Sequence, residues 1–196
     1  MCPGGEIIAA TSDAEQLCTN GMSPFRRNGS YANAGLIVNQ DIRRFNSVLE
    51  AFEFLRTTEQ QAFMAGGGNY ACPAQSAAAF ARGEAGLHTT ASSYQLGIVP
   101  ARLDRLLPND TITALQTALQ YFEQRIPGFM RSGVLIGVET RISSPVRFER
   151  NPETLASSLL GLYLAGEGAG YASGITSAAL DGLRIAETIL TGKLAT

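Results

Sequence analysis

The chain has 196 residues, of which 45% are apolar, 16% charged and 8% aromatic, a globular composition that excludes disorder as its general state. Fifteen Lys+Arg against 17 Asp+Glu give a formal net charge of -2, too little positive charge for a phosphate-reading surface, so nucleic acid is excluded as a partner. Cysteines at 2, 18 and 72 form no CxxC, and with His88 the only histidine there is no material for a zinc site or a histidine-based triad. In chain order, Glu6–Ala10 reads as a short strand, Thr11-Ser12-Asp13 as a turn, and Gln16–Thr19 as the returning strand of a hairpin. A loop with a turn at Asn28-Gly29 leads to a buried strand at Gly35–Asn39.

A helix is predicted from Ser47 to Met64, with Phe45, Val48, Leu49, Phe52, Leu55 and Phe63 on one face and Gly66-Gly67-Gly68 at its end. Pro73 to Arg82 reads as a short helix closed by Gly83. Pro100 suits a first helical position before a turn or two at Arg102–Leu107. Asp110 caps a longer helix whose Ile112, Leu115, Leu119, Phe122 and Ile126 make one buried stripe, stopped by Pro127-Gly128. Val134–Glu139, Val146–Phe148 and Leu159–Ala165 are strand candidates. The last helix runs from Ser173 to Leu190, with a mostly small inner face at Ile175, Ala178, Ala179, Gly182, Leu183, Ala186 and Ile189.

The N-terminus has no basic segment followed by an apolar run, so it is not a signal peptide. Glu167, Asp181, Arg184 and Glu187 break the apolar C-terminal half, so a membrane span is excluded and a cytoplasmic protein is expected.

The strongest chemical signal is strand, glycine turn, helix at Leu159–Leu190. A helix start offers free N–H groups and the positive end of its dipole to an anion, and glycines let a phosphate or ring approach the backbone. A tight turn with close helix packing explains the same pattern equally well. It is not a dinucleotide fingerprint: counted from Gly166 the third glycine falls at Tyr171, and counted from Gly168 it falls at Ser173. Glu167 is the acid best placed to accept hydrogen bonds from a polyol, against the plainer reading of a solvated loop acid. Arg141 and Arg147 flank Ser143-Ser144-Pro145 as a carboxylate or phosphate clamp, or as surface arginines on a hairpin. Cys2, beside Pro3-Gly4-Gly5, is a reactive thiol or a small buried filler.

The stretches MCPGGEIIAATS (1–12), TNGMS (19–23), GGGNYACPAQ (66–75), VPARLDRLLP (99–108), GVETRISSPVR (137–147) and LYLAGEGAGYASGITSAALDGLRIAE (162–187) together resemble the C-terminal part of the uncharacterised FAD-dependent dehydrogenases. These are relatives of the larger NAD(P)/FAD-dependent oxidoreductases. The resemblance implies an α+β fold. Residues 1–148 would form a substrate-side domain of mixed sheet and helices, and 149–196 the closing strand-turn-helix of a Rossmann-type FAD-binding domain. It implies that Glu167 binds the ribityl chain of FAD, and that Gly166, Gly168, Gly170, Tyr171, Gly174 and Ile175 lie near the flavin. Cys2, Asn20, Arg141, Ser143 and Arg147 would face a small-molecule substrate. Hydride would pass to or from flavin, with NAD(P) as a second candidate cofactor.

The family's N-terminal GxGxxG, which holds the ADP half of FAD, is absent here. The chain is therefore expected to be a fragment that binds FAD weakly or not at all and self-associates through an exposed flavin-domain face. A non-catalytic module acting through that face is the alternative. A third reading is a phosphate-ligand enzyme using only the Gly166–Gly174 turn.

Overall fold

The computed structural model describes residues 2–11 and 13–191; Met1, Ser12 of the expected 11–13 turn, residues 192–196 and the Cys2 side chain lie outside the described set. Two three-stranded sheets and five α-helices make a mixed, α+β content among the described residues. The chain divides into two units, one of residues 1–41 and 53–140, the other of residues 42–52 and 141–196. No described helix is long and apolar enough to cross a membrane.

The first unit holds both sheets. β1 (Cys2–Ala9) is the centre of one, antiparallel to β2 (Thr19–Met22) from Glu6↔Met22 to Ala9↔Thr19, with β3 (Tyr31–Asn33) on its other edge. The return strand starts at Thr19 rather than Gln16. The Leu17 N–H donates to the Glu59 carbonyl at 3.0 Å and the Cys18 N–H to Thr11 Oγ1 at 2.6 Å. Both residues are 1% exposed, and their donors are thus taken by groups outside the ladder. No strand forms at Gly35–Asn39. Leu36 and Val38 pack on the core as coil, while Ile37 is exposed.

In the second sheet β4 (Cys72–Ser76) is buried along its whole length, parallel to β5 (Ile98–Pro100) and antiparallel to β6 (Val134–Ile136). The expected helix from Pro73 is therefore a strand up to Ser76, and only α2 (Ala77–Arg82) is helical. Sheet pairing on both edges overrides the local alanine signal. The Pro73 carbonyl accepts from Gly137 N–H at 2.8 Å. Gly83 closes α2 in the left-handed conformation, φ 67°, as its position after Arg82 led one to expect. Pro100 ends β5 instead of opening a helix, and a 3₁₀ turn follows at Leu103–Arg105.

α1 (Val48–Ala65) and α3 (Asn109–Arg125) form where the apolar period places them. On α3, Ile112, Leu115 and Leu119 are buried and pack with Ala77, Phe80 and Leu103. On α1 the buried face is Ala51, Thr58, Glu59, Ala62 and Phe63, whereas Val48, Leu49 and Phe52 are exposed, so the expected stripe is correct only toward its C-terminal end. A second core joins Leu17, Phe63, Cys72, Tyr94, Ile98 and Val138. The short α4 (Phe129–Ser132) leads into β6.

The second unit has one long helix, α5 (Ile175–Leu190). The expected strands at Val146–Phe148 and Leu159–Ala165 are coil and turn. A strand needs a neighbour to receive its N–H and C=O groups, and no strand is present among the described residues of this unit. Leu159 and Leu160 are consequently exposed, at 65% and 96%. The inner face of α5 is Asp181 and Ile185, not the small-residue stripe; Ile175, Leu183 and Ile189 are exposed.

Candidate functional site

The segment Gly166–Gly174 is a turn built on its own backbone. The Gly170 N–H donates to the Glu167 carbonyl at 2.9 Å, and the Tyr171 N–H to the Gly166 carbonyl at 3.0 Å. Coil residues 146–150 lie against it. Phe148 N–H donates to the Ala169 carbonyl at 3.1 Å, Arg147 Nε to the Gly170 carbonyl at 3.2 Å, and Tyr171 OH to the Phe148 carbonyl at 2.8 Å. A Cβ at Gly170 would sit 2.3 Å from the Val146 carbonyl oxygen, and φ there is +79°, so only glycine fits.

Beneath the turn, Asp181 of α5 and Arg150 form a bidentate pair, Nη1 to Oδ2 at 3.0 Å and Nη2 to Oδ1 at 2.6 Å. Their side chains are 7% and 9% exposed. Asp181 Oδ2 also accepts from Gly166 N–H at 2.9 Å, and Arg150 Nη1 donates to the Leu164 carbonyl at 3.1 Å. Each buried charge is thus both paired and hydrogen-bonded, the condition under which a buried pair is tolerated. The Arg150 guanidinium holds the Asp181 carboxyl below the usual carboxylate range. Tyr171 completes the clasp: its ring centroid lies 3.5 Å from the Arg150 guanidinium carbon and 4.6 Å from that of Arg147.

The clasp leaves two things open. The first three N–H groups of α5, at Ile175, Thr176 and Ser177, have no acceptor among the described residues, and Gly174 provides no side-chain cap. Ser177 Oγ turns back to the Gly174 carbonyl at 3.0 Å. Glu167 is half-buried with no side-chain hydrogen bond among the described residues, and a Cβ at Gly168 would meet nothing within 4 Å. A carboxylate, open backbone and uncapped amides lie on one 12-residue stretch, Gly166–Ser177, which can accept from hydroxyl groups and donate to an anion.

The structure thus brings Tyr171 and Arg147 together, and both with Gly170. Arg141 and Ser143 are exposed in the same unit, Arg141 with interactions of its own. Asn20 is exposed on β2 in the other unit, and the Cys2 side chain is outside the described residues. Sequence reasoning missed Arg150 and the role of Asp181. Asp181 stood out only as a charge interrupting an apolar helix, and that interruption was the available signal. It also missed Glu59, 1% exposed, which accepts from Thr140 Oγ1 at 2.5 Å. Among the described residues no group of side chains is suited to a metal ion.

The family described as "FAD-dependent protein, C-terminal domain-like" matches residues 1–142, which contain the whole first unit. A curated relative from Clostridium beijerinckii, described as an uncharacterized protein, is 40% identical over 195 residues. The match takes in 97% of this chain and 37% of the relative, so the chain spans little more than a third of that protein's length. With most of its length matched, the chain belongs to the family of FAD-dependent protein C-terminal domains.

Proposed function

We propose that this chain is the C-terminal part of an FAD-dependent oxidoreductase, and that it needs further polypeptide to bind its cofactor. One observation carries the reading. Beyond the matched residues 1–142 the chain forms, at Gly166–Gly174, a stabilised glycine turn that leaves the first amides of α5 without acceptors. Glu167 would accept from the ribityl hydroxyls, and the N–H groups of Ile175–Ser177 would face the flavin's pyrimidine side. Flavin supplies hydride chemistry when bound. The chain's own part is to fix this turn through Arg150, Asp181 and Tyr171 and to donate to developing negative charge. Residues 149–196 are read as the closing segment of a Rossmann-type domain, and Arg141, Ser143 and Arg147 as substrate-side candidates. NAD(P) would enter only as a hydride donor or acceptor to that flavin.

A second reading, a module without cofactor that acts by association, is favoured by the exposed leucines and isoleucines of the second unit. Leu160 is 96%, Ile175 91% and Leu190 85% exposed. Grafting this chain in place of the corresponding 37% of the Clostridium relative separates the two. The oxidoreductase reading expects a chimera with stoichiometric flavin absorbance. A colourless, folded chimera from a flavin-containing parent would leave the association reading standing.

A further inference from the structure

A cleft of about 600 Å³ opens in the first unit beside α2 and α4. It is in the ~300–1,000 Å³ range of small-molecule sites, which are mostly apolar with a few placed polar groups. Ala78, Ala79, Leu87 and Met130 supply its apolar wall.

Its polar groups are Ser76, Arg82, His88, Glu123 and Arg131. Ser76 occupies the N-cap position of α2 but makes no cap; its Oγ instead accepts from the His88 backbone N–H at 2.9 Å and lies 2.7 Å from His88 Nδ1. In the tautomer in which the Ser76 hydroxyl donates to Nδ1, the ring proton is on Nε2. Nε2–H has no protein partner among the described residues. The exposed Arg131 guanidinium makes no direct hydrogen bond or salt bridge among them, and its charge acts on the Glu123 carboxylate across the same cleft. The cleft's one carboxylate, Glu123, is already engaged: Oε1 accepts from Gly128 N–H at 2.9 Å and Oε2 from Met130 N–H at 2.6 Å. Arg82, also on the wall, is held by Glu84 at 2.8 Å in an exposed pair, which contributes little and yields easily to another anion.

We propose that this cleft binds a small carboxylate with an apolar body, its anionic head on Arg131 and His88 and its body against Leu87 and Met130. The site is separate from the Gly166–Gly174 turn and does not depend on flavin. Fork-shaped and ring donors exposed beside a largely apolar wall, with Glu123 held by two backbone amides, favour an anion over a neutral ligand.

Because His88 is the only histidine, its imidazole gives a single set of ring signals by NMR. The full chain is titrated with benzoate, with neutral benzamide and with inorganic phosphate at fixed pH and ionic strength. The proposal expects saturable movement of the His88 signals with benzoate, none with benzamide, and affinity about tenfold weaker in Arg131→Gln, the loss of one charge-assisted hydrogen bond. Equal response to benzoate and benzamide, no saturation with benzoate, or an unchanged Arg131→Gln would overturn it. Phosphate binding more tightly than benzoate would overturn the apolar half. The benzoate–benzamide comparison stands on the unmodified protein, so it holds whatever the variant's stability.

Discussion

Arg150 and Asp181, 31 residues apart, meet through two parallel hydrogen bonds of 3.0 and 2.6 Å, and Asp181 also accepts the amide of Gly166. The start of the glycine turn is thus tied to the second turn of the helix that follows it. Tyr171, at the other end of the turn, lies over the same guanidinium. The conformation that would present α5's amides to a ligand is held by these three side chains together.

Removing one partner leaves the other buried and uncompensated. Arg150→Met should lower unfolding free energy by about 3 kcal/mol, and Asp181→Asn by a similar amount. The double variant Arg150→Met/Asp181→Asn should cost less than the sum of the singles. Denaturant unfolding of the four proteins checks this, and additive losses would show that the two side chains do not act as a unit.

The same pair sets a pH dependence. Asp181 has its carboxyl lowered in the folded state by Arg150, so the folded state binds its proton less readily than the unfolded state. Its contribution is present above the unfolded value of about 3.9 and is lost as pH falls through the lower folded value. Acid unfolding should therefore shift to higher pH in Asp181→Asn, measured by circular dichroism between about pH 5 and 2. An unshifted acid limb would remove Asp181 from the account.

Cys72 is 0% exposed, and burial pushes its thiol up to about 12. Cys18 is 1% exposed. In a Cys2→Ser background the folded chain should show no rapid reaction with a thiol reagent at pH 8, and two thiols should appear on denaturation. A fast-reacting thiol in the folded protein would show that one of these two core positions opens.

Ile175, Leu180, Leu183 and Leu190 leave α5 with an apolar outer side. The isolated chain should associate with rising concentration, and Leu183→Lys with Leu190→Lys should shift it toward monomer without loss of helix content. Light scattering after size exclusion checks this. A monodisperse monomer at all concentrations would remove self-association through this face.

Local period was enough to place α1, α3 and α5 as helices, but it gave the buried face only for α3 up to Leu119 and for the C-terminal end of α1; the stripe expected on α5 is largely exposed. The Leu159–Ala165 strand was read from a continuous apolar run, which shows only that the residues favour burial. Whether they pair depends on a neighbour that local sequence does not display. Pro73–Ser76 failed in the opposite sense: its partners Ile98–Pro100 and Val134–Ile136 lie far along the chain and convert a helix-like stretch into a strand. At the candidate site the glycines and Glu167 were visible as a motif. Arg150, sixteen residues upstream of the turn in a coil with no period, was not.

The proposed contact most open to test is that of α5's uncapped amides with flavin. Ile175→Pro tests it, since proline at a first helical position removes one N–H while suiting the helix, and Gly174 before it, at φ 153° and ψ 161°, lies outside the α region that a following proline disfavours. Ile175→Ala, which keeps the N–H, is the control for the lost side chain. FAD affinity is measured in the chimera carrying this chain. The account predicts affinity about tenfold weaker for Ile175→Pro than for Ile175→Ala, at equal thermal stability. Equal affinity in the two variants would contradict it.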